Sequence, residues 1–176
     1  MHVEFTDESR WHLYSAVTAA RDLVETGIFN ERDSPIAIYN AIATRLLVDL
    51  NDALMILNAH GHRITATGPD IMSVGKEGDI TSLINHARAA ACHITSKNKV
   101  ISDASGYGHL GFAMIWGAPP SIRFGATPIV NPYPDDVALF WGKARILVRR
   151  NLMFALDELA PALSIAMAGF GKGTTK

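Results

Sequence analysis

Residues 34–61 read SPIAIYNAIATRLLVDLNDALMILNAHG and contain the longest helical pattern of the chain. Ser34 is a residue type that caps helices, Pro35 suits the first helical position, and Gly61 is typical of a helix end. Between them, apolar side chains recur every three or four residues, at Tyr39, Ile42, Leu46, Leu50, Leu54 and Leu57. The stretch therefore predicts an amphipathic helix over about residues 35–60.

Three further segments have helical spacing. A first helix is expected from about residue 7 to 26, because Gly27 follows it. Asp79 can cap a third helix over about 80–95. A fourth is expected from about 143 to 160, and its continuation beyond Pro161 to residue 167 is left open. The glycine-containing residues 62–78 are interpreted as a connection or a flap.

The pattern changes between residues 100 and 141, where glycines and prolines separate short aromatic or β-branched runs. Residues 112–116, 122–124 and 137–141 are predicted to be strands. The sequence thus predicts a mainly all-α fold, a four-helix up-and-down bundle with a small antiparallel β insertion at about 100–141. Residues 1–168 are expected to form a single domain, and residues 169–176 a flexible tail.

Composition limits the possible functions. The chain has 176 residues, 48% of them hydrophobic, and a formal net charge of −1, so a nucleic-acid surface has to be local. The single cysteine, Cys92, excludes an intramolecular disulfide, and we expect it to be a small buried residue. No long apolar run and no secretory pattern at the first residues are found, which predicts a cytoplasmic protein without membrane contact.

Arg88 and His93 form the most informative pair in the sequence. They lie in DITSLINHARAAACHI, residues 79–94, within the predicted third helix. A fixed cation and a group that changes protonation near neutral pH are what acid–base chemistry on a phosphodiester needs. Two other interpretations remain open: an arginine lying along apolar neighbours, and a histidine bonded to a carbonyl at the helix end.

Several basic residues flank this pair. Lys97 and Lys99 follow the predicted third helix, and Arg149 and Arg150 lie in the predicted fourth. Together they would form an electrostatic track for a nucleic-acid backbone, although such clusters also occur as solvated helix faces. The small and apolar residues of the third helix exceed what one bundle buries, which predicts a two-fold dimer.

The order of these features resembles the HEPN superfamily of small helical proteins. The resemblance is carried by residues 79–94 with their Arg-x4-His motif, by FAMIWG at 112–117 and by DVALFWG at 136–142, ahead of Arg149 and Arg150. It covers about residues 35–160.

The resemblance implies a metal-independent endoribonuclease of the toxin or defence type, cleaving single-stranded RNA at a dimer interface without a cofactor. It assigns proton transfer at the ribose 2′-hydroxyl to His93 and phosphate binding to Arg88. It also implies RNA and a neutralising antitoxin protein as partners of the homodimer.

The chain departs from the family pattern at Ala89, where catalytic members carry a polar residue directly after the motif arginine. Asn85 and His86 are the candidates to replace that group. The alternative function is a catalytically inactive HEPN-like dimeric module that binds RNA or a partner protein through the same surface.

Overall fold

The structure, a computed structural model, describes residues 4–30, 36–93, 95–103, 106–117, 122–124 and 127–168. The described part is mainly helical, with α1 (Asp7–Glu25), α2 (Ile36–Ala59), α3 (Ile80–Cys92) and α4 (Phe154–Met167). The expected helix start at Ser34 and Pro35 and the expected tail at 169–176 lie outside the described residues. None of the helices in the described ranges is both long and apolar enough to cross a membrane.

Helix α2 is the centre of the bundle because α1, α3 and α4 all pack against it. Its apolar side chains are buried on more than one face, which is why Leu46, Leu47, Leu50 and Leu54 all lose their contact with water. Helix α1 begins at the cap Thr6, whose hydroxyl accepts a hydrogen bond from the Ser9 amide. The predicted positions of both helices are confirmed.

Helix α3 begins where the sequence predicts but ends earlier. The carboxylate of Asp79 accepts the Ser82 amide at 2.8 Å and so caps the first turn. The helix ends at Cys92 rather than near residue 95, because His93 has an extended backbone with φ −116°. Cys92 is exposed, so the expectation of a buried thiol was wrong.

The apolar residues of α3 are already covered within one chain. Five of them are buried, namely Ile80, Leu83, Ile84, Ala87 and Ala90. The predicted excess of apolar surface on this helix is therefore not found in the described residues. The composition of α3 consequently gives no support to a dimer.

The β insertion consists of three antiparallel pieces. β1 (Val100–Asp103) pairs with β2 (Gly106–His109), and β4 (Ile122–Phe124) pairs with β5 (Thr127–Ile129). The third piece is a three-stranded sheet in the order β3 (Ala113–Trp116), β6 (Val137–Trp141), β7 (Ala144–Leu147). All five residues of the central strand β6 are buried, which ties this sheet to the helical core. The predicted strands at 112–116, 122–124 and 137–141 are confirmed.

The predicted fourth helix from residue 143 was wrong at its start. Gly142 and Lys143 connect β6 to β7 in a tight turn, and Gly142 takes the positive φ of 52° that such a turn requires. One π-helical turn, Val148–Met153, then leads into α4. Helix α4 contains Pro161 and ends at Met167, so the continuation left open by the sequence is confirmed.

A buried carboxylate fixes the entry to this last helical segment. Asp136 accepts the backbone amides of Val137, Arg149 and Arg150 at 2.7, 2.9 and 3.1 Å. The Arg149 and Arg150 amides would otherwise lack partners at the start of the helical segment. Asp136 therefore joins the end of the β5–β6 connection to the start of the π-helical turn.

Candidate functional site

Arg88 is a half-buried cation without a carboxylate partner among the described residues. On the helix wheel it lies about 40° from Ile84 and about 20° from Thr81, both buried, so its side chain starts at the edge of the packed face of α3. Its Nε atom is enclosed but makes no hydrogen bond to any described residue. Since an unpaired charge is costly to shield from water, this guanidinium is a favourable position for an anion.

His93 stands at the exposed end of the same helix. Its backbone is fixed on both sides, because its amide donates to the Ala89 carbonyl and its own carbonyl accepts the Ser96 amide, both at 3.2 Å. Its imidazole makes no hydrogen bond or ion pair with the described residues, so the carbonyl contact considered from the sequence is not found there. The backbone of His93 is thus fixed and its side chain is open to solvent.

The two side chains do not converge within one chain. At 100° and 1.5 Å per residue, five positions separate their Cα atoms by about 140° around the helix and about 7.5 Å along it, and the extended backbone of His93 sets the direction of its ring. Ala89 is half-buried and lies between them around α3, where its small side chain leaves room for a second molecule.

Asn85 lies on the exposed face of α3 with its amide orientation set by a chain of hydrogen bonds. Asn51 donates from Nδ2 to the Asp52 carboxylate at 3.4 Å, so its Oδ1 is left to accept from Asn85 Nδ2 at 2.9 Å. The remaining Oδ1 of Asn85 is consequently presented as an acceptor.

His86 is held in one tautomer. The Trp141 indole, which can only donate, gives its Nε1 proton to His86 Nδ1 at 2.9 Å. Nδ1 is therefore unprotonated and Nε2 carries the proton. Burial lowers the pKa of His86, which further favours the neutral ring. His86 is thus a hydrogen-bond donor, and it is poorly suited to proton transfer near neutral pH.

The basic residues do not form the continuous track that the sequence suggests. Lys97 is exposed just beyond α3, but Lys99 is buried. Arg149 is exposed and donates to Asn30 at 2.7 Å. Arg150 was expected to contact RNA, yet its charge is already neutralised, because it pairs with Asp135 and Asp136 at 3.1 and 3.2 Å.

Arg150 is also held by contacts that leave it little freedom to turn outward. Its guanidinium carbon lies 3.8 Å from the centre of the Tyr133 ring, and its Nε lies 3.9 Å from Asp70. The hydroxyl of Tyr133 donates to Asp70, and this bond is the main reason that the pKa of Tyr133 is raised. Arg150 therefore serves to join the 62–78 connection to the β insertion.

A polar cavity of about 260 Å³ opens beside the first turns of α3. We call it the α3 cleft, and its principal lining residues are Met55, Arg63, Lys76, Glu77, Ser82, Asn85 and His86. Sequence reasoning identified Asn85 and His86 but missed the others, because Met55 comes from α2, Arg63, Lys76 and Glu77 come from the 62–78 connection, and Ser82 lies in the first turn of α3 with no pattern that marks it. The bidentate ion pair of Arg63 with Asp79, at 2.8 Å for each bond, has no signal in the spacing of the two residues.

The largest described cavity, about 430 Å³, lies elsewhere, between α1 and α2. Its charged residues largely satisfy one another, since Arg45 pairs with the buried Asp49 at 2.7 Å. Among the described residues no group of histidine, cysteine or acidic side chains is arranged to hold a metal ion. This cavity therefore adds no chemistry to the α3 site.

Comparison of the chain with models of protein families, with curated proteins and with solved structures found no match. The geometry of α3 and the motif that it carries are therefore the basis for a functional proposal.

Proposed function

We propose that this chain is a HEPN-like, metal-independent endoribonuclease that cleaves single-stranded RNA with Arg88 and His93 contributed by two copies. The observation that carries the proposal is the unpaired, half-buried guanidinium of Arg88, five residues before an exposed imidazole at the end of the same helix. Arg45, Arg63 and Arg150 are all neutralised by carboxylates, whereas Arg88 has no such partner among the described residues.

These two groups suffice for transesterification of RNA. A neutral His93 imidazole accepts the proton of the ribose 2′-hydroxyl, and the 2′-oxygen attacks the phosphorus. The bond from phosphorus to the 5′-oxygen breaks, and a protonated His93 of the second copy supplies the proton to that oxygen. Arg88 binds the negative charge that develops on the phosphate oxygens. The products are a 2′,3′-cyclic phosphate and a 5′-hydroxyl.

The helix geometry explains why two copies are needed. The Cα atoms of Arg88 and His93 lie about 140° apart around α3, which favours a site in which two copies supply the pair to one phosphate. A two-fold axis near Ala89 would set Arg88 of one copy opposite His93 of the other. The homodimer belongs to this proposal, as do a cytoplasmic location and a neutralising antitoxin protein as a further partner.

The alternative is a catalytically silent module that binds RNA or a partner protein through the same face. Ala89 favours it, because no polar side chain follows the motif arginine. The fixed neutral tautomer of His86 favours it as well, since that ring offers no second group for proton transfer.

An RNA cleavage assay in EDTA tests the proposal. Wild type and the His93→Ala and Arg88→Ala variants are incubated with end-labelled, mixed-sequence single-stranded RNA. We expect chelator-resistant cleavage with cyclic-phosphate ends, and a loss of roughly 10²- to 10⁴-fold on removing His93. His12→Ala and Arg21→Ala change exposed residues of α1 and are matched controls that keep full activity.

Equal cleavage by wild type and His93→Ala would discard the assigned role. RNA binding without cleavage, weakened in Arg88→Ala, would instead establish the silent module. Ala89→Asn adds a second comparison, because it restores a polar group next to Arg88 and is expected to raise the cleavage rate.

A further inference from the structure

We propose that the α3 cleft binds one unstacked nucleobase of the RNA and thereby gives the protein a base preference. The inference rests on the proposed function, the cleavage of RNA. It adds that a base of the bound strand, next to the cleavage site, occupies the cleft.

The cleft has polar walls that are fixed before any ligand arrives. Arg63 is held by Asp79 and also donates to the Ser82 hydroxyl at 2.9 Å. His86 is held by Trp141, and Asn85 is held by Asn51. A ligand would therefore meet groups that have already lost their rotational freedom, which reduces the entropy lost on binding.

The free ends of these side chains combine donors with acceptors. His86 offers the Nε2 proton, and Asn85 offers its carbonyl oxygen. Glu77 offers a carboxylate that lies 3.8 Å from the Arg63 guanidinium and makes no hydrogen bond to the described residues. Lys76 adds an exposed ammonium at the rim.

The charge balance favours a base over a phosphate. The positive charges of Arg63 and Lys76 are matched by the negative charges of Asp79 and Glu77. A phosphate would be repelled by the Glu77 carboxylate. The edge of a nucleobase carries both donors and acceptors, and it can therefore bond to both kinds of group in the cleft.

The shape of the walls also suits a planar ligand. Two hydrogen bonds to Asp79 fix the orientation of the planar Arg63 guanidinium, and such a plane is a surface on which an unstacked base can lie. Met55 supplies an apolar contact next to these polar groups. A cavity of about 260 Å³ accommodates a single base.

The cleft lies on the side of α3 toward which the Cα atom of His93 is placed. The His93 amide still bonds to the Ala89 carbonyl, so the Cα atoms of His86 and His93, seven residues apart, are separated by about 20° around the helix and about 10 Å along it. Stacked nucleotides rise about 3.4 Å each, so this distance is spanned by about three nucleotides or fewer. A strand positioned at His93 can therefore place a neighbouring base in the cleft.

The first test is an NMR titration with adenosine, guanosine, cytidine and uridine, each added separately to the wild-type protein. The indole N–H resonance of Trp141 reports on the cleft, because that proton is bonded to His86. We expect a saturable shift with at least one nucleoside, and binding roughly tenfold weaker in Glu77→Gln, the effect of losing one hydrogen bond to a charged group.

Glu158→Gln, an exposed change on α4, is the matched control and should leave nucleoside binding unchanged. Inorganic phosphate is titrated in parallel. A shift of the Trp141 resonance with phosphate alone, or no shift with any nucleoside, would overturn the assignment of a base.

The second test compares oligoribonucleotides that differ at one position, using His93→Ala to prevent cleavage. We expect the base preference to be reduced when Glu77→Gln is added. Nucleoside binding in a protein that neither cuts nor binds RNA would overturn the proposed function and leave the nucleobase cleft standing. RNA cleavage without nucleoside binding and without base preference would overturn the cleft alone.

Discussion

Two arginines of this chain show how partners decide what a residue can do. Arg150 is surrounded by Asp70, Asp135 and Asp136, so it is a structural cation, although its sequence context suggested RNA contact. Arg88 has no carboxylate partner among the described residues, so its positive charge can bind an anion such as a phosphate. The sequence could not separate the two, because Asp70 is distant from Arg150 in the chain and meets it only in the folded protein.

His86 makes the stability of the protein dependent on pH. Its pKa is lowered in the folded state, while in the unfolded chain it is about 6.5, so the unfolded state binds the proton more readily. The free energy of unfolding is therefore highest above pH 6.5, where His86 is neutral in both states. It decreases as the pH falls below that value towards the pKa of the folded state, because the unfolded chain then takes up the proton more readily. We expect urea denaturation to give a lower free energy of unfolding at pH 5.5 than at pH 8.

The matched variant for this prediction is His86→Asn. Its side-chain oxygen can still accept the Trp141 proton, but it does not titrate. The loss of stability between pH 8 and 5.5 should be smaller in the variant, since the other histidines contribute equally to both proteins. An identical pH dependence would show that His86 is not the responsible group.

The buried Asp136 carboxylate is expected to be the most sensitive charged position. Asp136→Asn weakens charge-assisted bonds from Val137, Arg149 and Arg150, and we expect a loss of about 2–4 kcal/mol in the free energy of unfolding. Asp135→Asn removes an exposed partner of the same arginine, and its expected loss is below about 1 kcal/mol. Chemical denaturation of the two variants measures the difference, and equal losses would contradict the capping role of Asp136.

At the scale of elements, regular apolar spacing predicted α1, α2 and most of α3, because each buries a repeating row of side chains against neighbours. The pattern failed at residues 144–147, where Ile146 and Leu147 fit a helical row but pair with β6. The signal that would have identified β7 is the Gly142-Lys143 turn between two apolar runs, which is typical of a hairpin. The early end of α3 has no such signal, since no glycine or proline follows Cys92.

Gly142 is expected to be essential to the β6–β7 turn. A Cβ atom there would lie 2.3 Å from the Asn98 carbonyl oxygen, and the backbone φ of 52° is unfavourable for other residues. Gly142→Ala should therefore lower the free energy of unfolding by more than about 2 kcal/mol. At Gly68 nothing lies within 4 Å of an added Cβ, so Gly68→Ala should change stability by about 1 kcal/mol or less. Thermal denaturation of both variants tests the contrast, and an equally mild effect at Gly142 would contradict it.

At the scale of the whole molecule, the β insertion supports the candidate site through one side chain. Trp141, the last residue of the central strand β6, donates to His86, which lies 55 residues away in the sequence, and fixes its tautomer. The Arg88 and His93 motif was visible in the sequence because both residues belong to one segment. The α3 cleft was not, because its walls come from α2, the 62–78 connection and α3, and only packing brings them together.

A composite site shared by two copies predicts that inactive subunits suppress active ones. If catalysis needs His93 from both copies, a dimer of one wild-type and one His93→Ala subunit is inactive. After subunit exchange, activity should then fall with about the square of the wild-type fraction, because only dimers of two wild-type subunits remain active. RNA cleavage measured over a series of mixing ratios provides the test.

The same mixtures assayed before exchange, and mixtures with the exposed variant His12→Ala, are the controls and should show no such suppression. A strictly linear fall after complete exchange, with exchange verified by mass spectrometry of the intact dimer, would mean that each copy acts alone. In that case Arg88 and His93 would have to reach one phosphate from a single helix, which their separation of about 140° opposes. The mixing curve therefore decides between a site shared by two copies and a complete site in each copy, and activity that does not fall at all would show that His93 is not catalytic.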